Sequence, residues 1–445
     1  MHFTIPDEVG GVIAKFEKAG FEIYIVGGAV RDLLMGKSVI DWDFATNATP
    51  DESQKVLGKD SYHQGFGTVG LPTQTEGFKP FEITTYRIEF GYSDKRRPDK
   101  VAWGKTLEED LKRRDFTINA MGLTKVKIID PHGGQKDLEK KLIRAVGGPQ
   151  ERFAEDTLRM MRAVRLAAEL NFKIEKKTLD AIKANSTLIN KIARERIRDE
   201  LIKILASPNP HEGVLHLRET GLLIEILPEL EKAFGVEQKS PQRHHIYDVG
   251  THCLLSLKHC QSTDPIVRFA TLIHDIGKPQ TYKKMPNGVI TFYNHEVVGT
   301  RIAKRIAERL RFSNEQARKL IKLVRWHQFS VGETQTDKAL RRFITRVGVE
   351  NVEDMLELRR ADRLGSGARE TSWRTEEFKK RLIEVQKQPF TIHDLKITGN
   401  DVMKVLGIKP GPKIGEILEK LFAEVVDQKL PNDKKAQLTR LKELE

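Results

Sequence analysis

Strand-forming patterns are concentrated ahead of Pro149, and nearly everything after it carries helical periodicity. Residues 21–26 (FEIYIV), 40–44, 81–86 and 126–129 read as short strands, punctuated by Gly65, Gly67, Gly70, Gly77, Gly91 and Pro98. Beyond Pro149 only residues 289–293 read as strand, while Pro208, Pro210, Pro228, the 239–242 stretch, Pro389 and Pro410 break helices. That asymmetry predicts an α+β chain: an α/β head followed by a long all-α remainder. At 445 residues the chain has room for several domains.

The charge balance narrows the partners. Lys and Arg number 76 against 63 Asp and Glu, a net +13. Residues 141–203 alone hold 15 basic against 9 acidic side chains. Basic helices behind a head suit a phosphate backbone, and a solvated helix surface accounts for the same count. No run reaches the roughly 18 apolar residues that span a bilayer, and the first residues lack the layout of a signal peptide, so no membrane partner is expected. Cys253 and Cys260 form no CxxC pair, which argues against a disulfide framework and fits a reducing cytoplasm.

The first chemical centre lies where residues 21–26 run into Gly27-Gly28-Ala29-Val30-Arg31-Asp32, followed by Asp41-Trp42-Asp43. A strand entering Gly-Gly ahead of a helix lets backbone N–H groups approach an anion that a Cβ would block. Asp41 and Asp43, two apart on an expected strand, project their carboxylates from one face. Two such carboxylates repel unless a cation lies between them, and Mg²⁺ with substrate phosphates is the economical occupant. Glu82 is the candidate third carboxylate, with a solvent-facing strand glutamate as the plain alternative.

Together these residues resemble the nucleotidyltransferase signature of the DNA polymerase beta superfamily. Further along, Arg113-Arg114-Asp115-Phe116-Thr117-Ile118-Asn119, Asp130-Pro131-His132-Gly133-Gly134, Glu155-Asp156-Thr157-Leu158-Arg159-Met160-Met161-Arg162-Ala163-Val164-Arg165 and Arg194-Glu195-Arg196-Ile197-Arg198 resemble, in order, the motifs of class II tRNA nucleotidyltransferases (CCA-adding enzymes) and bacterial poly(A) polymerases. The resemblance implies a two-metal nucleotidyl transfer from CTP and ATP to tRNA. Asp41 and Asp43 would hold the metals; Gly27, Gly28, Arg31, Arg114, Asp115 and Asn119 would bind triphosphate and ribose. Asp156 and Arg159, as i,i+3 neighbours on one helix face, would read the base edge. Arg162 and Arg165 would complete the nucleotide-binding set, with Arg162 about 120° around the helix from Asp156 and so suited to phosphate or packing. The segment 91–110 matches the flexible loop that the family uses in switching from C to A addition. On this basis the chain divides into a head (1–147), a neck (148–238), a body (239–365) and a tail (366–445), with body and tail holding the tRNA acceptor and T arms by shape and phosphates.

A second constellation sits in the helical part: His252, His274-Asp275, His295, His327 and Asp362. It resembles the longer ligand arrangement of HD phosphohydrolases. The resemblance implies one metal on His252, His274, Asp275 and Asp362, with Asp275 bridging to a second on His295 and His327. Imidazoles with carboxylates suit Mn²⁺, Fe²⁺, Ni²⁺ or Zn²⁺. Lys278 either pairs with a phosphate or is a solvated helix-end lysine, and His244, His245, His259 and His393 read as packing or capping residues. The leading expectation is addition or repair of tRNA CCA ends, with the HD body hydrolysing phosphoesters at RNA 3′ ends. A poly(A) polymerase or A-only enzyme on the same scaffold is the runner-up. An HD hydrolase with a merely RNA-binding head, and a non-catalytic tRNA chaperone, are the outside readings. The sequence leaves the oligomeric state open.

Overall fold

The computed structural model describes residues 3–65, 67–91, 100–238, 246–329, 336–370, 373–386, 392–427 and 429–444. The chain forms two compact units, Met1–Glu231 and Lys232–Glu445.

Among the described residues the first unit has ten strands ahead of Pro149: β1 (Ile23–Val26), β2 (Asp43–Thr46), β3 (Tyr62–Gly65), β4 (Thr68–Leu71), β5 (Phe81–Thr85), β6 (Arg87–Phe90), β7 (Lys100–Trp103), β8 (Gly122–Leu123), β9 (Ile128–Ile129) and β10 (Leu142–Ile143). Seven of them make one sheet in the order β3-β4-β5-β2-β1-β8-β9, and β6 pairs with β7 apart from it. Only β2 and β5 run parallel within the seven. The registers line residues up in rows across the sheet. One row runs Leu123, Ile25, Phe44, Ile83, Val69, and the next runs Gly122, Val26, Asp43, Glu82, Gly70, Tyr62.

Because side chains alternate along a strand, the two rows project from opposite faces. The apolar row packs against Val9, Val12, Ile13 and Phe16 of the helix Asp7–Lys18, and against the helices Gly28–Leu34 and Pro50–Leu57. Each such buried Ile or Phe contributes about 1.5–3 kcal/mol of transfer free energy. The helix Pro50–Leu57 starts where it does because Thr49 and Glu52 exchange reciprocal bonds: the Glu52 amide donates to Thr49 Oγ1 at 3.3 Å and the Thr49 amide donates to Glu52 Oε2 at 2.8 Å. On the opposite face Val26, Ala45 and Tyr86 are covered by Leu107 and Leu111 of the helix Leu107–Lys112, while the Asp43–Glu82 end of the row keeps its polar groups.

Two strand boundaries differ from expectation. The strand placed at residues 40–44 begins only at Asp43, so Asp41 precedes the ladder rather than sharing a pleat with Asp43. Residues 126–129 contribute only Ile128 and Ile129, because Thr124 turns the chain by accepting from the amides of Val126 and Lys127. After Pro149 the unit is mainly helical, through Pro149–Glu155, Arg159–Leu170, Lys176–Asn185, Arg194–Ala206 and Pro210–Glu219, but it adds an unexpected two-residue strand, Lys173–Ile174, parallel to Leu142–Ile143.

In the second unit Val249–His259, Pro265–Ile273, His295–Arg309, Asn314–Trp326 and Val352–Gly365 form the helical body. The expected strand at 289–293 shrinks to Ile290–Thr291, which pairs with Lys283–Lys284 in a hairpin. The last helices enclose a core of their own around Val402, Leu421 and Leu441. Among the described residues no helix is long and apolar enough to cross a membrane. Both cysteines are buried and free.

Candidate active sites

Sheet register aligns two of the three head carboxylates, Asp43 and Glu82, while Asp41 precedes the strand; the three do not offer atoms that all lie within 4.8 Å of one another. Asp43 opens β2 directly opposite Val26, the last residue of β1, and opposite Glu82 of β5. The chain then turns at Gly27, whose φ of 74° lies in the left-handed region. A Cβ at Gly27 would lie 3.2 Å from Asp43 Oδ2 and 3.3 Å from Arg114 Nη1, so glycine lets a carboxylate and a guanidinium approach the backbone. Asp41 is exposed and held by Lys79, whose Nζ donates to Asp41 Oδ2 at 2.6 Å. Burial, then the charges of Asp41 and Glu82, outweigh the cations Arg114 and Lys79 and push the Asp43 carboxyl up to about 6. Glu82 is raised as well, by burial and by Asp41. The charge around Asp43 and Glu82 is thus short of cations, and the all-oxygen donors there fit a hard divalent cation such as Mg²⁺.

A polar chain leads from the Gly27 turn to the helices that follow the head. Arg31 forks onto Asp32, with both bonds at 2.9 Å, and donates from Nη1 to Asn119 Oδ1 at 2.8 Å. Asn119 lies 3.5 Å from Asp115 Oδ1 through its amide nitrogen. Asp115 also accepts from Arg162, through Nε at 2.8 Å and through Nη2. Burial opposes the Asp115 charge, but the Arg162 guanidinium beside it holds the carboxyl down at about 2. Arg114 is braced by the buried Asp110, whose Oδ2 it contacts at 3.0 Å through Nη2. Arg165 pairs with Glu200 at 3.1 Å, tying the 159–170 helix to the 194–206 helix.

The expected Asp156–Arg159 pair on one helix face does not form. The chain breaks between the helices 149–155 and 159–170, and Asp156 sits in the break with extended backbone (φ −126°, ψ 103°). Its Oδ1 accepts the Leu158 amide at 3.1 Å, a local bond that competes with helix continuation, and its Oδ2 lies 3.4 Å from Arg196 Nη2. Arg159, nearly buried, donates instead to Glu155 Oε2 at 2.7 Å and to the Arg113 carbonyl at 3.1 Å. In the 91–110 segment, residues 92–99 lie outside the described residues, as do His244, His245 and the 239–242 stretch.

In the second unit the structure brings all six sequence-selected ligands together. His252, His274 and Asp275 offer atoms within 4.8 Å of one another, as do Asp275, His295 and His327, with Asp275 common to both groups. Asp275 Oδ2 lies 3.4 Å from His252 Nε2 and 3.3 Å from His274 Nε2; its Oδ1 lies 3.2 Å from His295 Nε2 and 3.6 Å from His327 Nε2. Asp362 Oδ1 approaches His252 Nε2 at 3.2 Å and His274 Nε2 at 3.6 Å. The Nδ1 atoms of His274, His295 and His327 each face the carbonyl three residues back, at 2.7, 2.9 and 2.8 Å. Those carbonyls take up each Nδ1 and turn each Nε2 inward, toward the carboxylates. His295 Nε2 and His327 Nε2 lie 3.3 Å apart, close enough to share one ion. This donor set fits transition metals better than Mg²⁺.

Asp275 is buried and Asp362 half-buried; although burial opposes both charges, Lys278 and the imidazoles hold the Asp275 carboxyl, and His252 and His274 the Asp362 carboxyl, well below the usual range. Sequence reasoning left Lys278 between two roles; it is buried, with Nζ 2.6 Å from Asp275 Oδ2 and donating to Gln238 Oε1 at 2.8 Å. A cavity of about 380 Å³ opens over the cluster, lined among others by Lys278, Tyr293, His295 and Arg359. Arg359 escaped sequence reasoning; it donates to Asp362 Oδ2 at 2.9 Å and leaves Oδ1 to the imidazoles. Its place three residues before Asp362, one helical turn back, is the only signal that pointed to it.

Comparison with known proteins follows this geometry. Residues 23–144 match the family described as the Poly A polymerase head domain, 171–234 match the "Probable RNA and SrmB- binding site of polymerase A", and 293–441 match domain 2 of tRNA nucleotidyltransferases. The first unit therefore carries a nucleotidyltransferase head of the poly(A) polymerase class. The CCA-adding enzyme of Levilactobacillus brevis is 36% identical over 431 residues, which cover 96% of this chain and 94% of that protein. The enzyme of Ligilactobacillus salivarius is 35% identical over 99% of this chain and 98% of its own length. The crystal structure of the Bacillus stearothermophilus CCA-adding enzyme in complex with CTP superposes with a TM-score of 0.72 at 26% identity, over 99% of this chain and 98% of that one. The chain belongs to the family of CCA-adding enzymes.

Proposed function

We propose that the head adds or repairs the 3′-terminal CCA of tRNA from CTP and ATP. The observation that carries this is the row Val26–Asp43–Glu82 ending at the Gly27 turn, in a chain matched along nearly its whole length by CCA-adding enzymes. Asp41, Asp43 and Glu82 would hold divalent cations, which when bound supply activation of the RNA 3′-hydroxyl and charge neutralisation on the pyrophosphate leaving group. Gly27 and Gly28 leave the backbone open to the triphosphate, and Arg114, held by Asp110, presents its guanidinium next to Asp43. Arg31 and Asn119 form the ribose and phosphate side of the pocket, while Asp115 and Arg162 fix it to the following helix. Asp156 and Arg159 remain the residues proposed to read the base edge. They act from the two sides of the helix break rather than from one face, after exchanging their present partners, Arg196 and Glu155, for the nucleotide. The assay is incorporation of CTP, ATP or both into tRNA lacking CCA. Ordered CCA supports the reading, whereas long A tails from ATP alone favour the runner-up, a poly(A) polymerase.

The second unit is read as an HD-type phosphohydrolase acting on phosphoesters at RNA 3′ ends. Convergence of four imidazoles and two carboxylates on a shared Asp275 supports it. His252, His274, Asp275 and Asp362 would hold one transition metal, and Asp275, His295 and His327 a second. Metals so held supply a hydroxide nucleophile and polarise the phosphoryl group, while Arg359 and Lys278 place positive charge around the cavity for the phosphate. Restoring a free 3′-hydroxyl there would prepare the RNA for the head. Hydrolysis of 3′-terminal or 2′,3′-cyclic phosphates by the protein loaded with Mn²⁺ or Ni²⁺ tests this, and no turnover with any divalent transition metal would remove it. Head 1–147, neck 148–238, body 239–365 and tail 366–445 remain the proposed functional division.

A further inference from the structure

The row that contains the head carboxylates does not stop at Glu82. Glu82 pairs with Gly70 of β4, and Gly70 with Tyr62 of the edge strand β3. Directly paired residues project to one face, so the Tyr62 side chain stands on the same face as Glu82 and Asp43. The Tyr62 ring lies flat across Gly70: a Cβ on Gly70 would fall 2.5 Å from the ring Cζ and 2.8 Å from Cε2 and Oη. The ring is nonetheless 41% exposed. Gln64 Nε2 donates to its hydroxyl at 3.3 Å and holds the ring in place. Two strand spacings separate Tyr62 from Glu82, about 10 Å.

Position along the row decides what such a ring would meet. The Gly27 turn lies at the Val26 end, beside Asp43, and Tyr62 lies beyond Glu82 on the other side. In-line transfer puts the leaving group and the nucleophile on opposite sides of the phosphorus. With pyrophosphate at the Gly27 end, the attacking RNA comes from the Tyr62 end. An exposed aromatic face there stacks a base whatever its identity.

We propose that Tyr62 is the stacking platform for an unpaired base at the 3′ end of the acceptor RNA, positioning its hydroxyl toward Asp43 and Glu82. This rests on the nucleotidyltransferase reading of the head. A purely structural role, covering an edge-strand glycine, is the competing account, and the test separates the two. Full-length protein is given a tRNA acceptor-stem minihelix lacking CCA, with 2-aminopurine as its 3′-terminal base, and fluorescence is read without nucleotide or divalent metal. Steady-state incorporation of CTP into the same RNA is measured in parallel. Tyr62→Ala should lose the stacking signal and raise the KM for RNA about tenfold or more, with the KM for CTP unchanged. Tyr62→Phe should behave as the native protein. Gly70→Val, which forces the ring off its seat, should copy Tyr62→Ala although the tyrosine is retained. Tyr62→Leu, which covers Gly70 without a π face, replaces the alanine variant if that does not fold. Unchanged RNA KM and fluorescence in Tyr62→Ala or Tyr62→Leu overturn the proposal, and so does a variant that only lowers the melting temperature. If the native protein stacks the RNA but incorporates no nucleotide, the nucleotidyltransferase reading falls and the platform stands.

Discussion

Replacing Asp43 by Asn should abolish nucleotide transfer and, in the metal-free protein, raise stability. Burial and the charges of Asp41 and Glu82 lift the Asp43 carboxyl from 3.8 to about 6. A carboxyl with a raised folded pKa costs stability once pH exceeds its unfolded value, because the folded state must then give up a proton it favours. The cost is absent below pH 3.8, grows between 3.8 and about 6, and is complete above that. Its full size is about 3 kcal/mol, and an amide that is itself partly desolvated would recover about 2 kcal/mol of it. Arg114 keeps its bonds to Asp110, so the substitution leaves no cation without a partner. For a unit of this size, about 2 kcal/mol corresponds to a rise in Tm of about 4–8 °C. The assay is thermal unfolding of chelated Asp43→Asn and its parent at pH 8 and pH 4. Trp42 and Trp103 report on the first unit once Trp326 and Trp373 are replaced by Phe. The gain should be present at pH 8 and mostly lost at pH 4. No gain at pH 8, or an equal gain at both values, would refute the electrostatic account of the cluster.

Three further outcomes follow from the same geometry. Asp115→Asn removes a carboxyl held at about 2 against 3.8, worth about 2 kcal/mol before solvent screening on the open side of Arg162. Because that pKa is depressed, urea melts should show the loss above pH 4 and see it fade as pH falls toward 2. Gly27→Ala places a Cβ at positive φ against Asp43 and Arg114. It should reduce kcat/KM for CTP and ATP by at least tenfold, with RNA binding by gel shift unchanged. Asp275→Asn, removing the residue common to both groups, should lower bound Mn²⁺ by one or two equivalents and end phosphoester hydrolysis, while CCA incorporation continues. If incorporation fails together with hydrolysis in a folded variant, the two centres are not independent.

What could be read from the sequence follows from how far apart in the chain the interacting groups lie. Gly27, Gly28 and Asp43 were legible because a strand, a turn and the next strand bring them together locally, and Glu82 because a carboxylate stands on another strand-like run. That six side chains of the second unit would converge was legible because imidazoles are few and each sits in a distinctive local motif. Asp156 and Arg159 were misjudged because helix spacing was assumed to run through a residue whose side chain caps the Leu158 amide and ends that spacing. Lys79 on Asp41 spans 38 residues and Tyr62 over Gly70 depends on strand pairing, and neither leaves a trace in local pattern. The α+β division was legible because period-two patterning largely ends near Pro149, beyond which the described strands are only two residues long.

The central claim is that the Asp43–Glu82 row transfers nucleotides to tRNA. It is tested most directly by sequencing the 3′ ends of tRNA lacking CCA after incubation with the protein, CTP, ATP and Mg²⁺. The account predicts two C and one A added in order, a stop thereafter, and no addition by Asp43→Asn. Absence of any addition by the native protein, or addition that persists in Asp43→Asn, would contradict it.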